Sequence, residues 1–138
     1  MEAYLLGSLA KPVARDEGRV NALAKSTLWQ IHVGDCLTEL PKRVKPASVD
    51  ALVTDPPGGL GFMHKRWDDF REERSAFVEY VSARLAAAFI ALKPGAHGLI
   101  WAHPKTQHWT GCAVEDAGFE IIDVVTHAFG GGMPHGLN

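Results

Sequence analysis

The run Ser48-Val49-Asp50-Ala51-Leu52-Val53-Thr54-Asp55-Pro56-Pro57-Gly58-Gly59-Leu60-Gly61-Phe62-Met63 decides how the rest of the chain is read. Val49, Ala51, Leu52 and Val53 form a short, mostly apolar segment with β-branched members, the pattern of a strand covered on both faces. Asp55-Pro56-Pro57 ends that strand, because neither proline can donate to a ladder and each ring fixes φ. The expectation is a carboxylate on a stiff backbone at the carboxyl end of a central strand, the place where open α/β sheets bind ligands. The glycines at 58, 59 and 61 then serve either a tight turn or a close approach of backbone to ligand.

Upstream of this run, Leu28 to Val33 alternates in the manner of a half-buried strand and stops at Gly34-Asp35. Asp35 is placed to cap a helix from Cys36 to about Val44, short or bent at Pro41, and Pro46-Ala47-Ser48 turns into the next strand. Downstream, Phe62-Met63-His64-Lys65-Arg66-Trp67-Asp68-Asp69 is the one tract where basic and aromatic side chains interleave. That mixture suits phosphate pairing and base stacking, and equally a surface loop whose Trp67 covers the sheet end. Phe70 to Leu92 is the clearest helix, with Phe77, Val81, Leu85, Ala88 and Leu92 at helical spacing and Lys93-Pro94-Gly95 as its stop. Ala96 to Ala102 reads as a buried strand, Thr106 to Ala117 as a helix closed by Gly118, and Phe119 to Val125 as a last strand. The tract Phe129-Gly130-Gly131-Gly132-Met133-Pro134 reads as a flexible terminus, and residues 1–26 as a lead-in or edge segment broken by Lys11-Pro12 and Asp16-Glu17-Gly18. The alternation of strands and helices predicts an α/β fold with a mainly parallel sheet flanked by helices.

The bulk properties narrow the function classes. With 138 residues, 46% hydrophobic and 22% charged, the chain suits one globular domain rather than a disordered one. A net charge of −2 provides no overall field for nucleic acid, so any such contact is local. Two widely spaced cysteines, Cys36 and Cys112, read as reduced thiols of a soluble cytoplasmic protein, and no apolar run reaches the roughly 18 residues of a membrane span. None of the pairs among His97, His103 and His108 has the i, i+4 spacing of a helical zinc motif. The glycine loop is followed by no Gly-Lys-Ser/Thr and lacks dinucleotide-type spacing.

Taken in order, Gly34-Asp35-Cys36-Leu37, then Val49 through Pro57, then Phe62 through Asp68 resemble the amino-directed DNA methyltransferases. The resemblance continues through Leu92-Lys93-Pro94-Gly95, Leu99-Ile100-Trp101-Ala102, His108-Trp109-Thr110 and Glu115 to Glu120, and reaches Gly132-Met133-Pro134. It is nearest to the bacterial and phage class in which the catalytic half precedes the cofactor-binding half. It implies a partial Rossmann-like fold over residues 27–138 and transfer of methyl from S-adenosylmethionine to the exocyclic amino group of adenine or cytosine in DNA. By the same resemblance Asp55, Pro56, Pro57 and Gly58 form the catalytic motif, and Asp35 and Asp55 lie near the cofactor. Phe62, Lys65, Arg66 and Trp67 are the substrate-facing candidates, with Phe62 or Trp67 as a stacking face.

The chain departs from the family in three places. Gly58 stands where an aromatic residue usually follows the second proline. No Phe-x-Gly-x-Gly cofactor motif follows the catalytic half, and Met133-Pro134-His135-Gly136 replaces the usual Phe-Pro-Lys-Ser. The family sheet places two strands of the cofactor half between Leu28–Val33 and Val49–Thr54. The expected partners are therefore DNA and either a second copy or a subunit supplying the missing half. A non-catalytic remnant that binds DNA or such a partner is the alternative reading.

Overall fold

The computed structural model describes residues 2–6 and 30–128. Its elements are β1 (Glu2–Leu6), α1 (Cys36–Arg43), β2 (Val49–Thr54), α2 (Arg74–Ala91), β3 (Leu92–Ala102), α3 (Gln107–Asp116) and β4 (Ile121–Thr126), with two 3-10 turns at Phe62–His64 and Arg66–Asp68. The strands form one sheet in the order β2-β3-β1-β4. β2 and β3 pair in parallel with Val53 opposite Leu99 and Thr54 opposite Ile100. β1 pairs antiparallel with both β3 and β4, so β2, β3 and β4 share one direction and β1 runs against them. The fold is mixed α/β, with parallel pairing confined to β2 and β3 among the described strands.

α2 and α3 form on their buried apolar positions without a side-chain N-cap bond, whereas α1 is capped and has no buried residue. Phe77, Val81 and Leu85 recur along α2 and are buried against Ile100 and Ala102 of β3, Ala113 and Val114 of α3, and Ala117, which caps the end of α3. The Phe77 ring is fully buried, edge-on to Phe70 at 5.6 Å and tilted against Trp109 at 5.7 Å. α2 begins at Arg74 rather than near Phe70, and Leu92 already belongs to β3, which runs through Pro94 and Gly95. α1 starts at Asp35, whose carboxylate accepts from the Leu37 N–H at 3.0 Å, and it continues through Pro41 for eight residues. Residues 44–48 are tied to the end of α2 by Ala47 N–H to the Ile90 carbonyl and Ser48 N–H to the Ala91 carbonyl.

Gln30–Val33, the described part of the strand expected at Leu28–Val33, is irregular, and Ile31 and Val33 are 76% and 96% exposed. Alternation alone cannot make a strand without a neighbour to complete its hydrogen bonds. Among the described strands β2 lies at the edge of the sheet with β3 its one neighbour, not at its centre, and Val53 is 71% exposed instead of covered. The helices α2 and α3 share a single core with Ile100, which places both on one face of the sheet. Conversely Glu2–Leu6, within the segment read as a lead-in or edge, lies between β3 and β4. The glycine-rich tract from Phe129 and the Leu28-Trp29 pair lie outside the described residues.

Candidate functional site

Because β2 and β3 run in parallel, their carboxyl ends meet at one edge of the sheet, and the chain leaves them as Asp55-Pro56-Pro57-Gly58 and His103-Pro104-Lys105-Thr106. Asp55 is exposed, and Pro56, Pro57 and Gly58 are half-buried. The two exits are joined directly: the buried Thr106 hydroxyl donates to the Gly58 carbonyl at 2.6 Å. Thr106 N–H in turn donates to the His103 carbonyl at 2.9 Å, and Lys105 N–H to His103 Nδ1 at 3.2 Å.

The loop after Gly58 is organised by one residue, Asp68. Its carboxylate is 2% exposed and accepts from Gly59 N–H at 2.8 Å through Oδ1 and from Phe62 N–H at 2.7 Å through Oδ2. Its carbonyl accepts a third bond, from Gly61 N–H at 2.7 Å. The loop needs such an acceptor because Gly59 (φ 74°) and Gly61 (φ 68°) take left-handed conformations that turn their N–H groups away from regular pairing. Met63 (φ 51°) and His64 (φ 56°) are left-handed as well, a cost that non-glycine residues accept only when their surroundings hold them. Sequence reasoning placed Asp68 at the end of the basic–aromatic tract without a role. The signal available was the pair of glycines itself, whose orphan donors call for a nearby acceptor.

Two neighbouring glycines meet opposite surroundings. A Cβ on Gly59 would lie 2.8 Å from the Phe77 ring, at a φ that disfavours L side chains. A Cβ on Gly58 would meet His103 Cβ at 3.6 Å and Asp68 Oδ1 at 3.9 Å, ordinary contacts, and Gly58 lies outside the left-handed region. Gly59→Ala should therefore lower stability by roughly 2–3 kcal/mol, while Gly58→Ala stays within about 0.5 kcal/mol of the parent. Urea unfolding of the two variants side by side checks this contrast.

The remaining candidates are distributed unevenly. Phe62, Arg66 and Trp67 sit on the two 3-10 turns beside Asp68 with Lys65 between the turns, and all four are exposed, Phe62 by 63% and Trp67 by 58%. Asp35 is engaged elsewhere: one oxygen caps α1 and the other lies 3.5 Å from the Arg84 guanidinium, which itself stacks 3.4 Å over the Tyr80 ring of α2. The structure thus brings Asp55–Gly58, the 62–68 loop and His103–Thr106 to one place and anchors Asp35 on α2.

Next to the loop, Arg71 grips Asp69 with two bonds of 2.8 and 2.9 Å, and that hydrogen bonding holds the Asp69 carboxyl below its usual range. A lowered acid contributes stability at neutral pH and loses it as pH falls through the lowered value. Both side chains are exposed, so the effect is small. Wild type and Arg71→Ala should differ slightly in Tm at pH 7 and converge well below pH of about 4.

A groove of about 870 Å³ between α2 and α3 is lined by Glu72, Glu73, Glu79 and Asp116 along with Arg74 and Cys112. It does not include Asp55 or the 58–68 loop. Comparison with protein-family models, with curated protein sequences and with solved structures returns no match to this chain.

Proposed function

We propose that Asp55-Pro56-Pro57 is the amino-orienting motif of an S-adenosylmethionine-dependent methyltransferase acting on adenine or cytosine of DNA. The observation that carries this reading is an exposed carboxylate followed by two prolines, leaving β2 where it runs parallel to β3, with the next loop pinned by a buried acid. An aromatic amine is a poor nucleophile because its lone pair is delocalised into the ring. When the Asp55 carboxylate and the Pro56 carbonyl each accept one amino hydrogen, the nitrogen moves toward tetrahedral geometry and its lone pair becomes available. A bound methyl donor would supply a methyl group to that lone pair, the N–C bond forming as the S–C bond breaks and the electron pair leaving with sulfur. The amine's extra proton passes to water beside the exposed Asp55. Positioning and charge stabilisation supply most of the acceleration, and the base must leave the duplex to reach the motif.

On the donor side the fit is partial. The methyl donor would supply an electrophilic methyl group, and Asp35 is the carboxylate assigned to it by the resemblance. Its side chain remains 49% exposed, yet both oxygens already serve Leu37 and Arg84. β3 is the one described neighbour of β2, and the other edge of β2 suits strands supplied by a second copy or a partner subunit. Self-association is expected in sedimentation at micromolar concentration; a monodisperse monomer of high thermal stability would count against it.

The test is incubation with labelled S-adenosylmethionine and unmethylated DNA. Transfer should occur and fall by at least about 100-fold in Asp55→Ala, the scale of losing a group that stabilises the transition state. Gly58 favours a second reading, a remnant that binds DNA or a partner without catalysis. Binding of DNA with no calorimetric heat from S-adenosylmethionine would support that reading instead.

A further inference from the structure

Gly58 and Gly59 contribute the carbonyl and the N–H of one peptide group, and a buried side chain holds each end of it. The Gly58 carbonyl accepts from the Thr106 hydroxyl at 2.6 Å, and the Gly59 N–H donates to Asp68 Oδ1 at 2.8 Å. Thr106 is 3% exposed and Asp68 2%, and they come from different elements, the head of α3 and the second 3-10 turn. Thr106 stands at the N-cap of α3, yet its side chain makes no capping bond to that helix; the hydroxyl serves Gly58 instead. Its backbone is fixed at the same time. The N–H donates to the His103 carbonyl at 2.9 Å, and the carbonyl accepts from the N–H groups of Trp109 and Thr110 at 2.9 and 3.1 Å.

The chain before this peptide is stiff: Thr54 is paired opposite Ile100, and ring closure fixes φ at Pro56 and Pro57. Gly58 is the first residue after the prolines with neither a ring nor a Cβ, and a peptide between two glycines turns over at little steric cost. Turning it over would break both bonds and take these partners from a buried carboxylate and a buried hydroxyl. We infer that Thr106 and Asp68 clamp the Gly58–Gly59 peptide, and that through it Thr106 is a positioning residue for the Asp55 carboxylate and the Pro56 carbonyl. The positioning role rests on the amino-methylation reading; the clamp does not. Displacing two acceptors by about 1 Å slows a reaction that depends on their geometry by as much as about 100-fold.

Amide hydrogen exchange reads the clamp, and methyl transfer reads its consequence. In the wild type the Gly59 N–H should exchange at least about 100-fold more slowly than an open amide. Exchange at the open rate refutes the clamp without recourse to any variant. Thr106→Val keeps the shape and removes the donor. It should speed exchange at Gly59 about tenfold more than at Val81 and Leu85 in the core of α2. An equal rise at all three, or none at Gly59, assigns Thr106 to general stability and overturns the inference. With labelled S-adenosylmethionine and unmethylated DNA, Thr106→Val should lower kcat roughly 10- to 100-fold and leave KM for DNA within about twofold. Thr106→Ser, which restores a hydroxyl, should recover most of that loss. Unchanged kcat, a change confined to KM, or an equal loss in Thr106→Ser overturns the positioning role. Where the wild type shows Asp55-dependent transfer, those results leave the amino-methylation reading intact. Slow Gly59 exchange released by Thr106→Val, with no Asp55-dependent transfer by the wild type, refutes that reading and the positioning role and leaves the clamp standing.

Discussion

Asp68→Ala should lower the stability of the protein by roughly 2–4 kcal/mol, far more than an ordinary loop substitution. The carboxylate is 2% exposed and satisfies the N–H groups of Gly59 and Phe62. Its removal leaves those two donors without acceptors in a place that water reaches poorly, and each carries a desolvation cost of about 1–3 kcal/mol. Asp68→Asn should fall between, since one amide oxygen replaces one of the two acceptors while the NH2 group faces a donor. The loss extends to function, because the same loop sets the position of Gly58 next to Asp55-Pro56-Pro57. Chemical denaturation gives the stability, and the DNA concentration dependence of methyl transfer gives the functional effect. Wild-type-like values of both in Asp68→Ala would mean that the loop is held by other contacts.

Phe77→Ala should cost about 3–5 kcal/mol, the range for deleting a large buried aromatic ring. Phe77 has no exposure, touches Phe70 and Trp109 edge-on or tilted, and lies directly beneath Gly59. It therefore joins the core between α2 and α3 to the floor of the candidate site. Phe77→Leu should lose less, about 1–2 kcal/mol, and should make Gly59→Ala more tolerable by removing the ring atoms 2.8 and 2.9 Å from the new Cβ. The left-handed φ of Gly59 remains, so the relief is incomplete. A double-mutant cycle in urea measures this coupling, and strict additivity would show that the ring does not press on the loop.

The parts of the fold that were legible in the sequence are those decided locally. Asp55-Pro56-Pro57 had to end β2, and the strand observed, Val49–Thr54, stops directly before Asp55. Phe77, Val81 and Leu85 had to face one side of a helix, and they are the centre of the core. Asp35 at the head of α1 caps it as its side chain chemistry requires. What could not be read depends on partners remote in the chain. Gln30–Val33 alternates well but is irregular, because a strand's hydrogen bonds belong to its neighbour as much as to itself. Glu2–Leu6 carries too few residues to declare a period, yet it gains two neighbours at once and sits inside the sheet. At the site, the exposed Asp55 and the half-buried prolines stand where the strand end implied. The roles of Asp68 and Thr106 stayed hidden because their partners are 6 to 48 residues away.

The claim on which the account turns is that Asp55 and Pro56 orient an exocyclic amino group for methylation. Its most direct test is mass spectrometry of nucleosides released from DNA after incubation with the protein and S-adenosylmethionine. N6-methyladenine or N4-methylcytosine is expected from the wild type and neither from Asp55→Ala. Methylation at a ring carbon, or equal amounts of amino-methylated base from wild type and Asp55→Ala, would contradict it.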